Sequence, residues 1–504
     1  GDLNEVHRME TFDMDATNGF LDSKWYHLYC SVQRCNSALR VLNAATDEQV
    51  NGRVSRIAEM KVLRAHYYFE LSRLFNKIPY FDENVEISQY PDIPNNEFTR
   101  DEILSMLAKE MLDAAELLPA SQSEVGRIHK YIALAYAAKI KLYQAYQQDE
   151  TTHAVTSINK ELLREVVSLC DQVTASNRYG LLDDFQGLDL VANENGKESV
   201  FAIQYSMNDG TESAGRINWS NLLNSPGGGS PYGGDGFFLP SQDLINAYQT
   251  DANGLPDFNY QSKSDYSWAV LNNGVYTLQN TTPNVDPRLD FVVGRPTITW
   301  KTYPDKPCEG WVRDKETYGY NCAKRFWVSP ESSDMFNGWP WGASQLNWQI
   351  IRYADILLWK AEALIELNEG DGLETARDLI NQIRNHARNS AYVKDFNDHS
   401  KYAANYLVNP YPADVWNQDY ARQALRWETR LEKALEGERF FDLVRWGIVE
   451  TTMNKYITAE SDNRIYYANA HFTGGKDEYY PVPNNQYGFS GGKYVQNPGY
   501  APFN

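Results

Sequence analysis

Apolar residues recur at helical spacing through the first third of the chain, in five stretches covering residues 25–42, 54–74, 99–118, 129–147 and 159–174. The ends of these stretches carry their own signals. Thr99 followed by Glu102 makes a T-x-x-E capping box, and the Ile78-Pro79 and Leu118-Pro119 pairs stop the helices before them. Small residues (Ala58, Ala65, Ala133, Ala135, Ala137, Ala138) stand where neighbouring helices approach closely, as in helix-turn-helix solenoids, although no strict 34-residue repeat is visible.

Helical periodicity disappears between about residues 180 and 349, where Gly, Pro, Asn, Asp and Ser dominate, with P-G-G-G at Pro226 to Gly229 and P-Y-G-G at Pro231 to Gly234. Short alternating runs at 199–205, 295–300 and 324–328 predict small strands within this loop-rich insert. Helical spacing returns at 350–367 and 373–387, joined by the tight turn Asn368-Glu-Gly-Asp-Gly372, and again at 420–436 and 440–450. The expected organisation is an extended segment (1–24), a helical scaffold (25–179), a loop-rich region (180–349), helices packing back on the scaffold (350–450) and an irregular tail (451–504), all in one compact unit. The fold class is mainly α.

Composition narrows the function. Against 47 Lys plus Arg stand 67 Asp plus Glu, a net charge of −20 that repels phosphate backbones, so nucleic acid is not an expected partner. At 42% hydrophobic and 23% charged the 504-residue chain has the makeup of a folded globular protein. No uninterrupted apolar run of about 18 residues predicts a membrane-spanning helix. Five cysteines (Cys30, Cys35, Cys170, Cys308, Cys322) without a C-x-x-C motif suggest neither a disulfide framework nor a zinc knuckle, and leave open a single Cys308–Cys322 bridge.

Phosphate-binding, zinc-protease and α/β-hydrolase motifs (G-x-x-x-x-G-K-[ST], H-E-x-x-H, G-x-S-x-G) do not occur, so no cofactor or metal is expected. Asp251-Ala-Asn-Gly-Leu-Pro-Asp257 reads as a turn because it lacks the distal Glu of a calcium loop. Glu432, Glu436, Arg439, Asp442 and Arg445 read as salt-bridged i,i+3 neighbours on a continuous helix, a scaffold feature with Phe440, Phe441, Leu443 and Trp446 as core anchors.

One stretch has family character. Glu428-Thr-Arg-Leu-Glu-Lys-Ala-Leu-Glu-Gly437 followed by Glu438-Arg-Phe-Phe-Asp-Leu-Val-Arg-Trp-Gly447 resembles the signature of the SusD/RagB family of outer-membrane nutrient-binding lipoproteins. Further segments follow in that family's order: Trp25-x-x-x-Tyr29 with Arg34-x-Asn36, Arg64-Ala-His-Tyr-Tyr-Phe69, Asp286-Pro-Arg-Leu289, Ile351-Arg-Tyr-Ala-Asp-Ile-Leu-Leu358 with Ala361-Glu-Ala363, Tyr480-Pro-Val-Pro483 and Gln496-Asn-Pro-Gly-Tyr500. Thr429 stands where the family favours Arg, and Lys433 where it favours an apolar residue. The resemblance implies a tetratricopeptide-like scaffold whose variable, loop-rich half carries the ligand site. It also implies a lipid anchor on a cysteine upstream of Gly1, an outer-membrane location at the cell surface, and a SusC-like, TonB-dependent β-barrel as transport partner, over which the protein sits as a hinged lid.

The aromatic residues bear on cargo. Trp219, Trp268, Trp300, Trp311, Trp327, Trp339, Trp341 and Trp348 all fall among turn-forming residues, where an indole has fewer places to hide than in a helix. An exposed indole or phenol packs on the axial C–H face of a sugar ring while neighbouring Asn, Asp, Arg and Gln bind its hydroxyls. By the resemblance, stacking aromatics lie between Asp286-Pro-Arg-Leu289 and Ile351, which selects Trp300, Tyr303, Trp311, Tyr318, Tyr320 and Trp327. Trp339-Pro-Trp341 is a second candidate because the proline fixes the backbone between two rings. Trp348 reads as core, and Arg8, Asp13 and Asn18 as hydrogen-bonding residues by region alone. The expectation is a non-enzymatic glycan-capturing protein; oligopeptide capture and a helical glycoside hydrolase are the alternatives.

Overall fold

The computed structural model describes residues 3–211, 215–219, 227, 229–231, 233, 236–267, 269–272, 275–278, 283–303, 307, 309–336, 338 and 342–503. Both glycine-rich motifs (at 226–229 and 231–234) therefore lie partly, and Trp268, Cys308 and Trp339-Pro-Trp341 entirely, outside the described residues. The chain divides into two compact units, one formed by residues 1–177, 440–455 and 469–504 and the other by 178–439 and 456–468.

The first unit begins with a short helix, α1 (Asn4–Glu10), then the predicted array: α2 (Gly19–Ala44), α3 (Arg53–Phe75), α4 (Arg100–Leu117), α5 (Lys130–Ala145) and α6 (Lys160–Ala175). Each helix from α2 to α6 packs on the next. Asn18 caps α2 by accepting hydrogen bonds from the amides of Phe20 and Leu21. The Thr99–Glu102 capping box forms at the start of α4, with the Thr99 amide donating to Glu102 at 2.8 Å. All six of the alanines that predicted close approach are fully buried. Helix α5 is buried nearly all round, as expected of a helix flanked on both sides, by α4 and α6. After it, β1 (Tyr146–Gln148) pairs antiparallel with β2 (Val155–Ile158).

The tail is less irregular than its composition predicts, since it holds helices Val449–Glu460 and Asn484–Phe489. Its motif residues are anchors. The Tyr480 amide donates to Leu74 O at 2.8 Å, and Asn497 Nδ2 donates to both Phe75 O and Tyr480 O at 2.7 Å. Gly447 takes φ +67°, and a Cβ there would sit 2.8 Å from Val155 Cγ2, so this end of the signature requires glycine.

In the second unit, α7 (Tyr353–Leu367), α8 (Gly372–Asn389) and α9 (Gln418–Glu432) pack on one another. They belong to the unit that contains the loops. Strand β3 (Ser199–Ile203) pairs antiparallel with β10 (Trp348–Arg352), directly before α7. The other strands are short: β4 (Gln249–Thr250) pairs with β7 (Asn284–Val285), β5 (Ala269–Asn272) with β6 (Val275–Leu278), and β8 (Val293–Gly294) with β9 (Cys322–Ala323). The runs at 295–300 and 324–328 are therefore not strands. Pairing occurs just before each run, and Thr297 (φ +73°) and Phe326 (φ +69°) turn the chain out of extended geometry.

Beside the apolar faces of these helices, a buried ion network joins them to the loop segments. Arg288, fully buried, pairs with Asp286 (2.7 Å), Glu432 (3.0 Å) and Glu428, and Arg384 meets Glu428 at 2.9 Å. Arg352 pairs with Glu198 (2.9 Å), Glu432 (2.8 Å) and Glu436 (2.9 Å), while Arg325 reaches Glu436 at 2.6 Å. Lys433, at the position where the family favours an apolar residue, is held by Asp355 (2.5 Å) and Glu436. Burial alone raises the Glu432 carboxyl, but Arg352 and Arg288 outweigh it and bring it down to about 2. Glu436 is likewise brought down to about 2, against its burial, by Arg352, Lys433 and Arg325.

The expected continuous helix through Glu432, Glu436, Arg439, Asp442 and Arg445 does not exist. Helix α9 ends at Glu432, Leu435 (φ +65°) and Gly437 (φ +78°) reverse the chain, and a new helix runs over Arg439–Arg445. Glu432 and Glu436 turn into the buried network, whereas Asp442–Arg445 is present as the expected i,i+3 pair at 2.9 Å.

Candidate functional site

The loop between β8 and β10 turns on the same point that breaks its strands. Gly294 ends β8, and a Cβ there would meet Cys322 Sγ at 2.6 Å and the Trp300 ring at 2.7 Å, so only glycine lets the loop fold onto its own aromatics. Trp300, Trp311, Val312, Cys322 and Trp327 form a small buried core, with Leu239, Tyr303, Tyr318 and Met335 packed around its edge. Trp300 and Trp311 have ring centroids 5.9 Å apart at 59°, and Tyr303 lies edge-on to Trp311 at 5.9 Å.

The six aromatics expected here as stacking faces thus separate into two groups. Trp300, Trp311 and Trp327 are 0%, 3% and 1% exposed and present no ring face to solvent. Burying an indole in a satellite core under the loop removes large apolar area from water, and three indoles together suffice to build that core. Tyr303 and Tyr318 are half-buried at its rim, and Tyr318 also packs on Tyr466 at 5.7 Å; Tyr320 is half-buried and is not among the residues packed on this core. Trp219 is 40% exposed; Trp348, in β10, packs on Phe326 at 5.0 Å.

Asp189, which motif reading passed over, organises this loop. Its carboxylate accepts from Lys301 Nζ at 2.6 Å and from the Phe326 amide at 2.9 Å. Lys301 (φ +52°) and Phe326 (φ +69°) both hold left-handed backbone that side-chain-bearing residues rarely adopt, so one buried carboxylate fixes two strained positions flanking the Trp core. No motif marks Asp189, since Asp183, Asp184 and Glu194 stand within six residues of it. Lys324 donates to Asp290 O and Thr299 O from the interior, and burial pulls its ammonium down to about 7.

Other candidates have structural work. Arg8 pairs with Asp13 (3.2 Å) and Asp15 (2.7 Å), and Asn18 is the α2 cap. Asp251 accepts from the amides of Asn253 and Leu255, which is the turn its sequence predicts. Arg64, from the Arg64-Ala-His motif, pairs with Glu83 and Glu110 and donates to Asn36 at 2.7 Å. Among the described residues no cluster of His, Cys, Asp and Glu is arranged to hold a metal, and no helix is long and apolar enough to cross a membrane.

Two family patterns match the chain. The SusD family pattern matches residues 197–500, and one described as starch-binding and associating with the outer membrane matches residues 3–142. The chain belongs to the SusD family. Among curated SusD-family relatives, a SusD-like protein of Bacteroides ovatus is 22% identical over 86% of this chain and 67% of its own length. SusD-like protein P2 of Formosa agariphila is 23% identical over 98% of this chain and 83% of its own length. Among solved structures, a SusD superfamily protein of Bacteroides vulgatus superposes with TM-score 0.70 at 20% identity, covering 99% of this chain and 90% of that one. Surface glycan-binding protein A of Bacteroides thetaiotaomicron, solved with laminarihexaose, superposes with TM-score 0.65 at 19% identity over 99% and 90%. The fold and the mainly α class are those of SusD-like proteins, and carbohydrate binding at the outer membrane is the family's character. The signature residues are scaffold: Asp286, Arg288, Glu428, Glu432 and Arg352 meet in the buried network rather than in a binding cleft.

Proposed function

We propose that this SusD-family protein captures a glycan at the cell surface through its loop aromatics and passes it to a SusC-like, TonB-dependent β-barrel, without cleaving it. The observation that carries this reading is the seating of half-buried Tyr303 and Tyr318 on the buried Trp300–Trp311–Trp327 core. A phenol held at the rim of a packed core loses little freedom when a sugar ring stacks on it, so the binding face is already organised. Tyr320, half-buried two residues after Tyr318, is a further stacking candidate, and Trp339 and Trp341 follow it in sequence. Trp300, Trp311 and Trp327 act beneath the surface by fixing the rim. A lipid anchor would keep the protein beside the barrel that imports its cargo. The solved relative holding laminarihexaose supports an oligosaccharide as cargo.

The test is affinity electrophoresis of the purified chain in gels cast with starch, laminarin, xylan, galactomannan and alginate. Retardation by at least one glycan, weakened by Tyr303→Ala or Tyr318→Ala with an unchanged circular dichroism spectrum, is the expected result. Absence of retardation together with calorimetric binding of short peptides would assign the cargo to peptides. Time-dependent release of reducing ends by the pure protein would show an enzyme.

A further inference from the structure

The long connection between α8 and α9 carries an aromatic cluster that lies outside the loop singled out by the family motifs. Residues 393–403 fold back on themselves: Lys394 pairs antiparallel with Tyr402, the Ala403 amide donates to Val393 O at 3.0 Å, and the Asp395 amide donates to Lys401 O at 3.1 Å. Asp395 closes the turn by accepting from the amides of Asn397 (2.9 Å) and Asp398 (2.8 Å). This hairpin is therefore rigid without a long ladder.

Three tyrosines meet beside it. The ring of Tyr392 is 5.3 Å from Tyr402 and 5.2 Å from Tyr406, and Tyr402 is 6.2 Å from Tyr406. Two of the hydroxyls are engaged, Tyr392 donating to Arg388 O at 2.8 Å and Tyr406 donating to Asp290 Oδ2 at 2.5 Å. These bonds hold both rings as a backing. Tyr402 is different: it is 54% exposed, and its hydroxyl has no partner among the described residues. Lys394 Nζ lies 3.8 Å from the Tyr402 ring centroid, and no carboxylate among the described residues pairs with it. An exposed phenol on a fixed aromatic base, with a hydroxyl and an ammonium free to bond outward, combines the apolar and polar elements that a pyranose ring requires.

The cluster is continuous with the loop described above. Thr299 Oγ1, next to Trp300, donates to Lys394 O at 3.1 Å, and Asp290, which receives the Tyr406 hydroxyl, also pairs with Arg295 at 2.7 Å. We infer that Tyr402, backed by Tyr392 and Tyr406 and flanked by Lys394, is a second carbohydrate-binding position that takes a further pyranose unit of an extended glycan. This inference rests on the proposed glycan capture and adds a position to it: a short oligosaccharide fills the Tyr303 rim alone, whereas a longer chain reaches Tyr402.

The experiment uses the full chain and its variants Tyr402→Ala, Tyr402→Phe and Tyr303→Ala in the polysaccharide gels named above, then calorimetry with oligosaccharides of two to eight units prepared from whichever polymer retards the wild type. For Tyr402→Ala the expected result is an affinity loss of about three- to tenfold for the polymer and the longest oligosaccharides, with the shortest ligand unaffected and the unfolding midpoint unchanged. Tyr402→Phe keeps the ring and is expected to stay within about twofold of wild type. Tyr303→Ala weakens every length. Wild-type affinity retained by Tyr402→Ala at all lengths overturns the second position while leaving glycan capture standing. If no glycan retards the wild type, the capture reading fails and this position fails with it.

Discussion

Helices α2 to α6 hold together chiefly by apolar stripes and alanine contacts, with Ala65, Val62, Leu107 and Ala137 fully buried and one buried ion group, Arg64 with Glu83 and Glu110. The unit formed by residues 178–439 and 456–468 has an apolar core too, around Tyr248, Val285, Leu289 and Val292, but its helices and loops also converge on Arg288, Arg352, Arg384, Glu428 and Glu432. The difference follows from chain geometry. A helix repeats its apolar face every turn and can bury it against a neighbour, whereas a loop has no repeating face and needs point contacts of defined direction. Bidentate arginines supply that direction, and three indoles supply local apolar bulk for the loop that carries the proposed site.

The sharpest way to break this contrast is to remove the centre of the network. Arg288→Met leaves Asp286, Glu428 and Glu432 facing one another without their common cation, and is expected to destabilise the loop-rich unit by about 3–5 kcal/mol. Urea unfolding followed by tryptophan fluorescence checks it, because Trp25 and Trp446 are the only tryptophans of the helical unit. A loss below about 1 kcal/mol would mean that the network is not what holds this unit.

Acid separates the two units next. Because the folded-state pKa values of Glu432 and Glu436 lie below the ordinary 4.5, their contribution is fully present above pH 4.5 and is lost as pH falls towards 2. Fluorescence is expected to report unfolding of the loop-rich unit within that window before far-ultraviolet dichroism loses the α2–α6 signal. Simultaneous loss of both signals would contradict the contrast.

Smaller changes sharpen it. Asp189→Asn keeps the shape but weakens the charge-assisted bonds to Lys301 and the Phe326 amide, and is expected to cost about 1.5–3 kcal/mol and to raise proteolytic cleavage near residue 301. Thr99→Ala removes one half of the α4 capping box, an expected loss of about 1 kcal/mol confined to the helical unit, measured by its thermal midpoint.

What was legible in the sequence follows the same line. Helices α3 to α6 begin and end within two residues of their predicted limits because periodicity, capping residues and X-Pro stops all act locally, whereas α2 starts six residues before its predicted limit, at Gly19. The break after Glu432 was not legible: Glu436, Arg439 and Asp442 keep helical spacing, and only the pull of Arg325 and Arg352 from distant segments shows why the chain turns there. Tryptophan enrichment located the loop but not the role of its rings. Whether an indole such as Trp300 faces solvent or a neighbouring indole depends on Gly294 allowing close approach and on Asp189 holding the turns, neither of which alters composition. The tyrosines at 392, 402 and 406 sit in an unusually long inter-helix connection, a sequence feature that does point to function.

Hydrogen–deuterium exchange of the full chain, with and without the polysaccharide that retards it, addresses most directly the claim that the loops bind while the helices position them. The account predicts ligand-dependent protection in peptides covering residues 297–336 and 392–406, and none in α2 to α6. Protection confined to α2 to α6, with the loop peptides unchanged, would contradict it.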